Sequence, residues 1–286
     1  MTSAFPAAAR ALACALLSLA ACAVAAADLA PSKNAGPYVP SPQSVVADML
    51  KIAEIGPEDF VIDLGSGDGR IVLTAAKVFG ARGFGVEIKD DLVSSSNEAA
   101  RREGLADRVR FVKQDLFRTD ISQATVLTMY LLPDTVNLLK DKLLAELRPG
   151  TRIISHDYPL TGWIPEKYVQ MDLEDKVQIS GVTTTLIYLY VVPAKVAGSW
   201  KASMPAAVSR KPATLQLKQQ LTRVSGSVQM DGRDVPLEEV RLRGDRLSFK
   251  LAGRKGEFSG QVKGRSIEGS VQTGKTRAPW SATLGG

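Results

Sequence analysis

The sequence is poor in the residues that build metal sites and disulfide bridges. Its 286 residues include two cysteines and one histidine. Both cysteines, Cys14 and Cys22, lie in an apolar run near the N terminus, so the rest of the chain has no disulfide and no thiolate nucleophile. His156 is the only histidine, which excludes the common zinc spacings, and no metal site is predicted.

Aromatic residues are also scarce, at 6% of the chain, and the charge is divided unevenly along it. Residues 195–286 carry 17 Lys and Arg against 7 Asp and Glu, whereas residues 1–194 carry 19 against 23. This asymmetry indicates two units with different surfaces. Because few aromatic side chains interleave with the basic ones, nucleic acid is not expected as a partner. A solvated basic face and an anionic membrane surface are the interpretations left open.

Residues 1–27 are interpreted as a signal peptide or a membrane anchor. Arg10 is their only charge, and residues 11–27 form an unbroken run of apolar and small residues that ends in three alanines, as a cleavage site does. Leu19-Ala20-Ala21-Cys22 also resembles the lipobox of bacterial lipoproteins, with Cys22 as the lipidated residue. We therefore expect a bacterial protein that is exported to the periplasm or cell envelope, or held by an anchor that faces the cytoplasm.

A glycine-rich turn between a strand and a helix is the most informative motif of the chain. Residues 59–64 are a short apolar run that predicts a buried strand, and residues 70–79 show helical spacing closed by Gly80. The turn places Gly65, Gly67 and Gly69 at every second position, which lets the backbone bend sharply and approach a ligand. The helix that follows offers free N–H groups to polar ligand atoms.

The residues around these glycines separate two classes of cofactor. The dinucleotide fingerprint G-x-G-x-x-G is made for a pyrophosphate, but Arg70 stands where its last glycine is expected. Asp63 opens the turn, and a carboxylate there suits a cationic ligand and repels phosphates. A tight turn without any ligand is the alternative interpretation of the glycines alone.

Two further acids follow the next two predicted strands. Residues 83–88 form an apolar strand that ends near Glu87, and residues 109–116 form another that ends near Asp115. In α/β cofactor folds, an acid at the second strand end, ~20 residues past the first loop, hydrogen-bonds ribose hydroxyls. Glu87 is placed for that role. Three acids at the ends of successive strands predict one ligand site at this edge of the sheet.

The remaining patterns predict an α/β fold followed by an all-β part. The further elements of the first part are a helix over 44–55, strands over 124–130 and 151–155, a helix over 133–147, and a hairpin of 176–180 with 183–192 around Gly181. From about Gly198, short alternating segments separated by turn pairs such as Asp231-Gly232 predict a small antiparallel β-barrel or sandwich. The predicted domains are residues 28–195 and 196–286.

The acidic G-x-G-x-G turn and the strand-end acids resemble class I S-adenosylmethionine (SAM) methyltransferases. The resemblance implies a seven-stranded, mostly parallel, Rossmann-like methyltransferase sheet and SAM as the cofactor, whose sulfonium and ammonium agree with the acidic turn. It also implies that Asp115 binds the adenine amino group and that Leu116 packs on the ring. The implied cofactor-binding residues of these motifs are Asp63, Gly65, Ser66, Gly67, Gly69, Glu87, Asp115 and Leu116.

A closer resemblance rests on three further motifs, Pro37-Tyr38-Val39-Pro40-Ser41-Pro42, Tyr130-Leu131-Leu132-Pro133 and Ser155-His156-Asp157. Over roughly residues 36–192 the chain resembles the seven-strand protein-lysine methyltransferases of the ATP synthase c-subunit and the adenine nucleotide translocase, and their bacterial relatives. By this resemblance Tyr38 covers the SAM site as a lid.

The same resemblance supplies two catalytic candidates. Tyr130 would stand beside the methyl group, and Asp157 would hold a lysine ammonium. An ordinary strand end and a capping role are the respective structural alternatives. His156 is either a proton acceptor or a hydrogen-bonded structural residue.

The expected function is that of a SAM-dependent methyltransferase acting on an accessible lysine of a protein substrate, in or near a membrane. Such a reaction needs alignment and a neutral amine rather than a dedicated base, which agrees with the lack of a catalytic dyad. Two alternatives stay open. One is a methyltransferase with a small-molecule or lipid acceptor, and the other is a cell-envelope binding protein that retains the fold without turnover.

Overall fold

A computed structural model describes residues 38–285 of the protein. The predicted signal peptide or anchor at 1–27, the lipobox cysteine Cys22 and Pro37 lie outside the described residues. Across 38–285, no helix has the length and apolar character needed to cross a membrane.

A seven-stranded mixed sheet forms the first part of the structure, as predicted. Its strands are β1 (Phe60–Leu64), β2 (Arg82–Glu87), β3 (Val109–Lys113), β4 (Val126–Met129), β5 (Arg152–His156), β6 (Lys167–Asp172) and β7 (Thr184–Val191). The order is β3-β2-β1-β4-β5-β7-β6, with parallel pairs from β3 to β5 and β7 antiparallel to both of its neighbours. Strand order reverses at β1, and the carboxyl ends of strands beside such a point bind ligands in open α/β sheets.

Six helices accompany this sheet among the described residues. They are α1 (Gln43–Ile52), α2 (Arg70–Phe79), α3 (Asp90–Arg102), α4 (Pro133–Leu138), α5 (Lys140–Glu146) and α6 (Glu174–Ser180). The apolar residues of β1 alternate between two cores, because Val61 packs in the cluster that contains α1, whereas Ile62 and Leu64 pack in the one that contains α4 and α5. This two-sided burial explains the nearly continuous apolar run of the strand.

The hairpin predicted around Gly181 is wrong. Residues 176–180 lie in α6, and the strand that pairs with β7 is β6. Gly181 turns the chain with a φ of +77°, but it ends a helix instead of joining two strands. Strand β6 lies at the edge of the sheet with exposed or half-buried side chains, so no apolar run marks it in the sequence. The helix predicted over 133–147 is also divided, at Leu139.

The second part is a closed, eight-stranded antiparallel barrel, one of the two architectures predicted for it. Its strands are β8 (Gly198–Ser203), β9 (Ala213–Gln220), β10 (Arg223–Met230), β11 (Arg233–Arg243), β12 (Arg246–Leu251), β13 (Glu257–Lys263), β14 (Ser266–Thr273) and β15 (Thr276–Leu284). Aromatic side chains fill the interior: the rings of Phe249 and Phe258 stack at 4.9 Å, and Trp280 meets both edge-on. The barrel therefore encloses a packed core.

The barrel and the sheet contact each other through hydrogen bonds and through Leu221, which packs against the core of the sheet. The backbone N–H of Ala194 donates to Gly244 O at 2.8 Å, and Arg243 Nε donates to Glu166 Oε1 at 2.5 Å. Ala194 and Val196 are buried in the core of the barrel, so the connection between the two parts is packed against it. The domain bounds 28–195 and 196–286 stay a prediction.

Candidate functional site

The glycine turn between β1 and α2 is shaped for close approach of a ligand or a side chain. Gly65, Gly67 and Gly69 have φ of +79°, +54° and +80°, a region that other residues rarely adopt. A Cβ on Gly65 would lie 2.7 Å from Leu131, and one on Gly69 would lie 2.5 Å from Phe111. Both the conformation and the space therefore require glycine at these positions.

Asp63 lies buried beside this turn, with 2% of its surface exposed. Its Oδ1 accepts a hydrogen bond of 2.7 Å from Thr128 Oγ1 on β4. Burial, joined by the carboxylates of Asp68 and Glu87, raises the pKa of Asp63 to about 7, although the Thr128 hydrogen bond acts in the opposite direction. A cation beside Asp63 would offset this shift, so the pocket favours a positively charged ligand.

Glu87, at the end of β2, is bound to the glycine turn. Its Oε2 accepts the N–H of Gly67 at 3.1 Å, and its Oε1 accepts the N–H groups of Ile88 and Lys89 at 2.8 and 3.1 Å. Within the turn, Ser66 Oγ is buried and has no hydrogen-bond partner among the described residues. A polar ligand would satisfy that hydroxyl, because buried polar atoms are rarely left unpaired.

Asp115 and Leu116 follow β3 at the same edge of the sheet. Asp115 Oδ1 accepts the N–H of Phe117 at 2.8 Å, which holds the carboxylate in a tight turn. Leu116 is buried in the core that contains β1 and β4. The acids predicted from three successive strand ends are thus gathered at one edge of the sheet, and their ligand contacts stay a prediction.

The entry segment, residues 38–42, is fastened across the glycine turn. A Cβ on Gly67 would lie 2.3 Å from Tyr38 Cε2, so the tyrosine ring rests on the bare backbone. Arg70 Nη1 donates to Ser41 O at 2.7 Å and its Nη2 pairs with Asp68 at 2.6 Å. Burial and the neighbouring Asp68 raise the pKa of Tyr38. The segment therefore occupies the place where the lid was predicted.

The rings of His156 and Tyr130 lie against each other near the entry segment. His156 is fully buried, its Nδ1 lies 2.9 Å from Ser41 Oγ, and the centre of its ring is 4.0 Å from that of Tyr130. Burial lowers the pKa of His156 to about 4, and burial with the nearby Asp157 raises the pKa of Tyr130. Both rings are therefore uncharged at neutral pH.

Asp157 binds an ammonium group beside these rings. Lys176 Nζ donates to its Oδ1 and Oδ2 at 2.8 and 2.7 Å and also to Thr184 O. Burial alone would raise the pKa of Asp157, but His156, Lys176 and the N–H of Leu186 together lower it. The carboxylate is thus ionised, and its backbone has a φ of +61°, which is uncommon outside glycine.

Two contributors to this region were not predicted from the sequence. Thr128 reaches Asp63 from a neighbouring strand, and Lys176 reaches Asp157 from α6. Neither has a local motif, although the register that places Thr128 opposite Asp63 follows once β1 and β4 are paired. In residues 38–285, no three His, Cys, Asp or Glu side chains are grouped as a metal site.

Comparison with known proteins agrees with this geometry. A model of the ANTKMT methyltransferase domain matches residues 63–167. A protein-lysine N-methyltransferase of Saccharolobus islandicus is 42% identical over 157 residues, which cover 54% of this chain and 93% of that protein. The ATP synthase c-subunit lysine N-methyltransferase of Xenopus laevis is 35% identical over 130 residues, covering 46% of this chain and 57% of that protein.

Among solved structures, an RNA methyltransferase from Salinibacter ruber in complex with S-adenosyl-L-homocysteine superposes with a TM-score of 0.50 and 42% identity. It covers 55% of this chain and 96% of that chain. The fold and the glycine turn thus define a SAM-dependent methyltransferase. Because nearly the whole S. islandicus relative is matched, the chain belongs to the family of that protein-lysine N-methyltransferase. The chain spans little more than half of the Xenopus relative, at 57%.

The residues of the pocket fit SAM. The turn presents bare glycine backbone, Ser66 offers an unpaired buried hydroxyl, and Asp63 occupies a pocket that favours a cation. Glu87 and Asp115 present carboxylates at the positions expected for ribose and adenine. The cofactor predicted from the sequence is confirmed, while the role of each residue stays a prediction.

SAM binding is expected to strengthen as the pH rises through about 7. The pKa of Asp63 is about 7 in the free protein, and a bound cation favours its ionised form, so binding below that pH must release a proton. Without SAM, Asp63 contributes most to stability below its unfolded pKa of ~3.9, and that contribution is lost as the pH rises towards 7. Calorimetric titration across about pH 5 to 9 measures the affinity.

Asp63→Asn is the matched control for this pH dependence. The amide keeps a hydrogen-bond partner for Thr128 but does not titrate, so the variant should bind SAM with an affinity that does not change across the same range. An unchanging affinity in the wild type would contradict the placement of the cation beside Asp63.

Proposed function

We propose that the protein transfers the methyl group of SAM to the ε-amine of a lysine in a protein substrate. The observation that carries the proposal is the ionised carboxylate of Asp157, which binds an ammonium at the end of β5 beside Tyr130. Support comes from the S. islandicus relative, a protein-lysine N-methyltransferase that is matched over 93% of its length.

The pocket residues perform two tasks in this reaction. Asp157 receives and orients the ammonium of the acceptor, and the entry segment with Tyr38 shields the cofactor from water. SAM supplies a methyl carbon activated by its sulfonium. The acceptor amine must first lose a proton, since its free pKa is ~10.4, and desolvation favours the neutral form.

His156 lies beside the carboxylate of Asp157 as a buried ring. Its Nε2 lies 3.6 Å from Asp157 Oδ1 and has no hydrogen-bond partner among the described residues. Burial lowers its pKa to about 4, so the imidazole is neutral and retains a lone pair at neutral pH. With that pKa the ring is a poor base for an ammonium, so desolvation of the amine favours the loss of its proton.

We also propose that the enzyme works at an anionic membrane surface. A shallow groove of about 490 Å³ crosses the outside of the barrel. Its floor is a row of serines in register on neighbouring strands, Ser248, Ser259 and Ser270. Its walls carry four arginines and one carboxylate, namely Arg241, Arg243, Arg246, Arg277 and Glu268. Hydroxyl and guanidinium groups donate hydrogen bonds to lipid phosphates. The apolar run at 11–27 would add an anchor in the membrane, and the protein that it holds would be either exported or on the cytoplasmic side.

The experiment for the acceptor uses the full chain, isotopically labelled SAM, and the soluble and membrane fractions of the cells that make the protein. Mass spectrometry then locates the label, which is expected on lysine side chains of membrane-fraction proteins. If the label is found only on lipid, small molecules or RNA, that class of molecule is the acceptor and lysine is rejected. Absence of label in every fraction would favour a binding protein that retains the fold without turnover.

Vesicle co-sedimentation tests the membrane surface separately. The full chain is expected to sediment with phosphatidylglycerol vesicles and not with phosphatidylcholine vesicles, and added salt should release it. The double variant Arg241→Gln, Arg246→Gln should bind phosphatidylglycerol less tightly while its SAM affinity stays the same. Equal binding to phosphatidylglycerol and phosphatidylcholine vesicles would reject the proposal that the enzyme works at an anionic membrane surface.

A further inference from the structure

The most unusual buried group outside the cofactor pocket is the ammonium of Lys176. Its side chain is 3% exposed, and the carboxylate of Asp157 that faces it is 13% exposed. Burying a lysine is costly, and the cost is offset only when the charge is paired and hydrogen-bonded. Lys176 meets that condition through two carboxylate oxygens and one backbone carbonyl.

The geometry around Nζ identifies Lys176 as a resident cation and not as a methyl acceptor. Nζ donates to Asp157 Oδ1, Asp157 Oδ2 and Thr184 O, and such oxygen acceptors suit the N–H groups of an ammonium. An amine that attacks a methyl carbon needs a free lone pair, and an ammonium with three donors engaged has none. Lys176 is thus held in the charged form that a substrate lysine has when it first enters.

Of the side chains of helix α6 that the structure describes, Lys176 alone is buried. Glu174, Val177 and Gln178 are exposed, while Leu173 at the helix start is half-buried against the core that contains β7. Gly181 ends the helix in a left-handed conformation. Among the described side chains of α6, Lys176 is therefore the one that binds the helix to the pocket.

The carboxylate that receives Lys176 is held ready for an ammonium. The N–H of Leu186 donates to Asp157 Oδ1 at 3.0 Å, and the N–H of Asp157 donates to Leu186 O at 2.7 Å. The left-handed backbone of Asp157, with φ of +61°, is fixed by this pair of contacts with β7. The carboxylate is therefore held by β7 and would stay in place if α6 moved away.

We propose that Lys176 occupies the acceptor-lysine subsite of the enzyme, so that α6 must leave Asp157 before a substrate lysine can enter. This inference rests on the proposed function, because it takes lysine as the acceptor. An incoming lysine side chain offers Asp157 the same ammonium that Lys176 offers, so one can replace the other without leaving the carboxylate unpaired. The helix thus competes with the substrate for Asp157 and lowers the apparent affinity of the enzyme for the substrate lysine.

Amide hydrogen exchange of the full chain, with S-adenosylhomocysteine present, tests this replacement directly. Addition of N-acetyl-lysine methylamide is expected to accelerate exchange across residues 174–180. N-acetyl-norleucine methylamide has the same aliphatic stem without the ammonium and should leave exchange unchanged. The proposal would be overturned if the exchange rate in α6 stayed the same with both compounds, or changed equally with both.

Steady-state kinetics of Lys176→Met give a second measurement. The variant removes the competing ammonium, so KM for N-acetyl-lysine methylamide is expected to fall about tenfold while kcat changes little. Gln178→Ala, on the exposed face of α6, is the matched control and should behave as the wild type. An unchanged or higher KM in a folded Lys176→Met protein would indicate a purely structural ion pair. If that variant does not fold, the exchange comparison on the wild type decides alone.

The two measurements separate this inference from the proposed function. Release of α6 by the lysine compound, in a protein that labels no lysine, would support the subsite and reject lysine methylation. Labelling of lysine with α6 unmoved would support the function and reject the role of Lys176. If the lysine compound does not release α6 and no lysine is labelled, both the inference and the proposed function are overturned.

Discussion

Replacing Glu87 with alanine is expected to weaken SAM binding about 100-fold. The carboxylate holds the N–H of Gly67 in the glycine turn and lies where the ribose hydroxyls are expected, so its removal costs hydrogen bonds on both sides. Hydrogen bonds to a charged group contribute about 1.5–3 kcal/mol each, and about 3 kcal/mol corresponds to two orders of magnitude in affinity. Isothermal titration with SAM measures the effect.

Glu98→Ala is the control for this substitution. Glu98 is an exposed carboxylate on α3, so the variant loses a similar charge without touching the turn, and its SAM affinity should match the wild type. Thermal unfolding of both variants shows that the fold is retained. Unchanged SAM binding in Glu87→Ala would reject the ribose assignment of this carboxylate.

Replacing Trp200 with alanine is expected to destabilise the barrel by about 3–5 kcal/mol, the range for a large buried aromatic side chain. Trp200 is fully buried, and its Nε1 donates to Val196 O at 2.8 Å. It also lies on β8, the strand that closes the barrel between β9 and β15. Chemical denaturation followed by circular dichroism measures the loss.

The neighbouring exposed residue provides the comparison. Lys201→Ala, on the same strand, removes a long side chain from the surface and should change stability by less than about 0.5 kcal/mol. A Trp200→Ala protein that unfolds at the wild-type denaturant concentration would show that the barrel core tolerates a large cavity.

Local signals account for the parts of the fold that the sequence predicts well. Helix α2 has a glycine at each end, Gly69 and Gly80, and both adopt the left-handed conformation, so its bounds agree with the prediction. The buried strand β1 is recognisable because both of its faces are apolar. Turn pairs in the barrel are equally local, since Asp231 and Gly232 both have positive φ.

Other elements depend on partners that are distant in sequence. Strand β11 contains charged residues, Pro236 and a bulge at which Glu239 has a φ of +49°, so its alternation is broken, and pairing with β10 and β12 defines it. Residues 176–180 of helix α6 alternate polar and apolar side chains, so the sequence predicts a strand there. Its position follows from the contact of Lys176 with Asp157, which no periodicity encodes.

The candidate site divides in the same way. The acids Asp63, Glu87 and Asp115 are predictable because parallel strands end at one edge of a sheet. The hydrogen bond from Thr128 and the ammonium of Lys176 are contributed by other elements, and each favours the ionised form of the carboxyl group that it contacts. Sequence motifs thus identify the cofactor, whereas tertiary contacts define the surroundings of the acceptor.

The entry segment also links two exchanges that a methyltransferase must make. Ser41 accepts from Arg70 through its carbonyl and meets His156 through its hydroxyl, so one residue bridges the cofactor turn and the acceptor pocket. Displacing the segment would break its contacts with the cofactor turn and with His156 in the same movement, so renewal of the cofactor and exchange of the acceptor would be coupled.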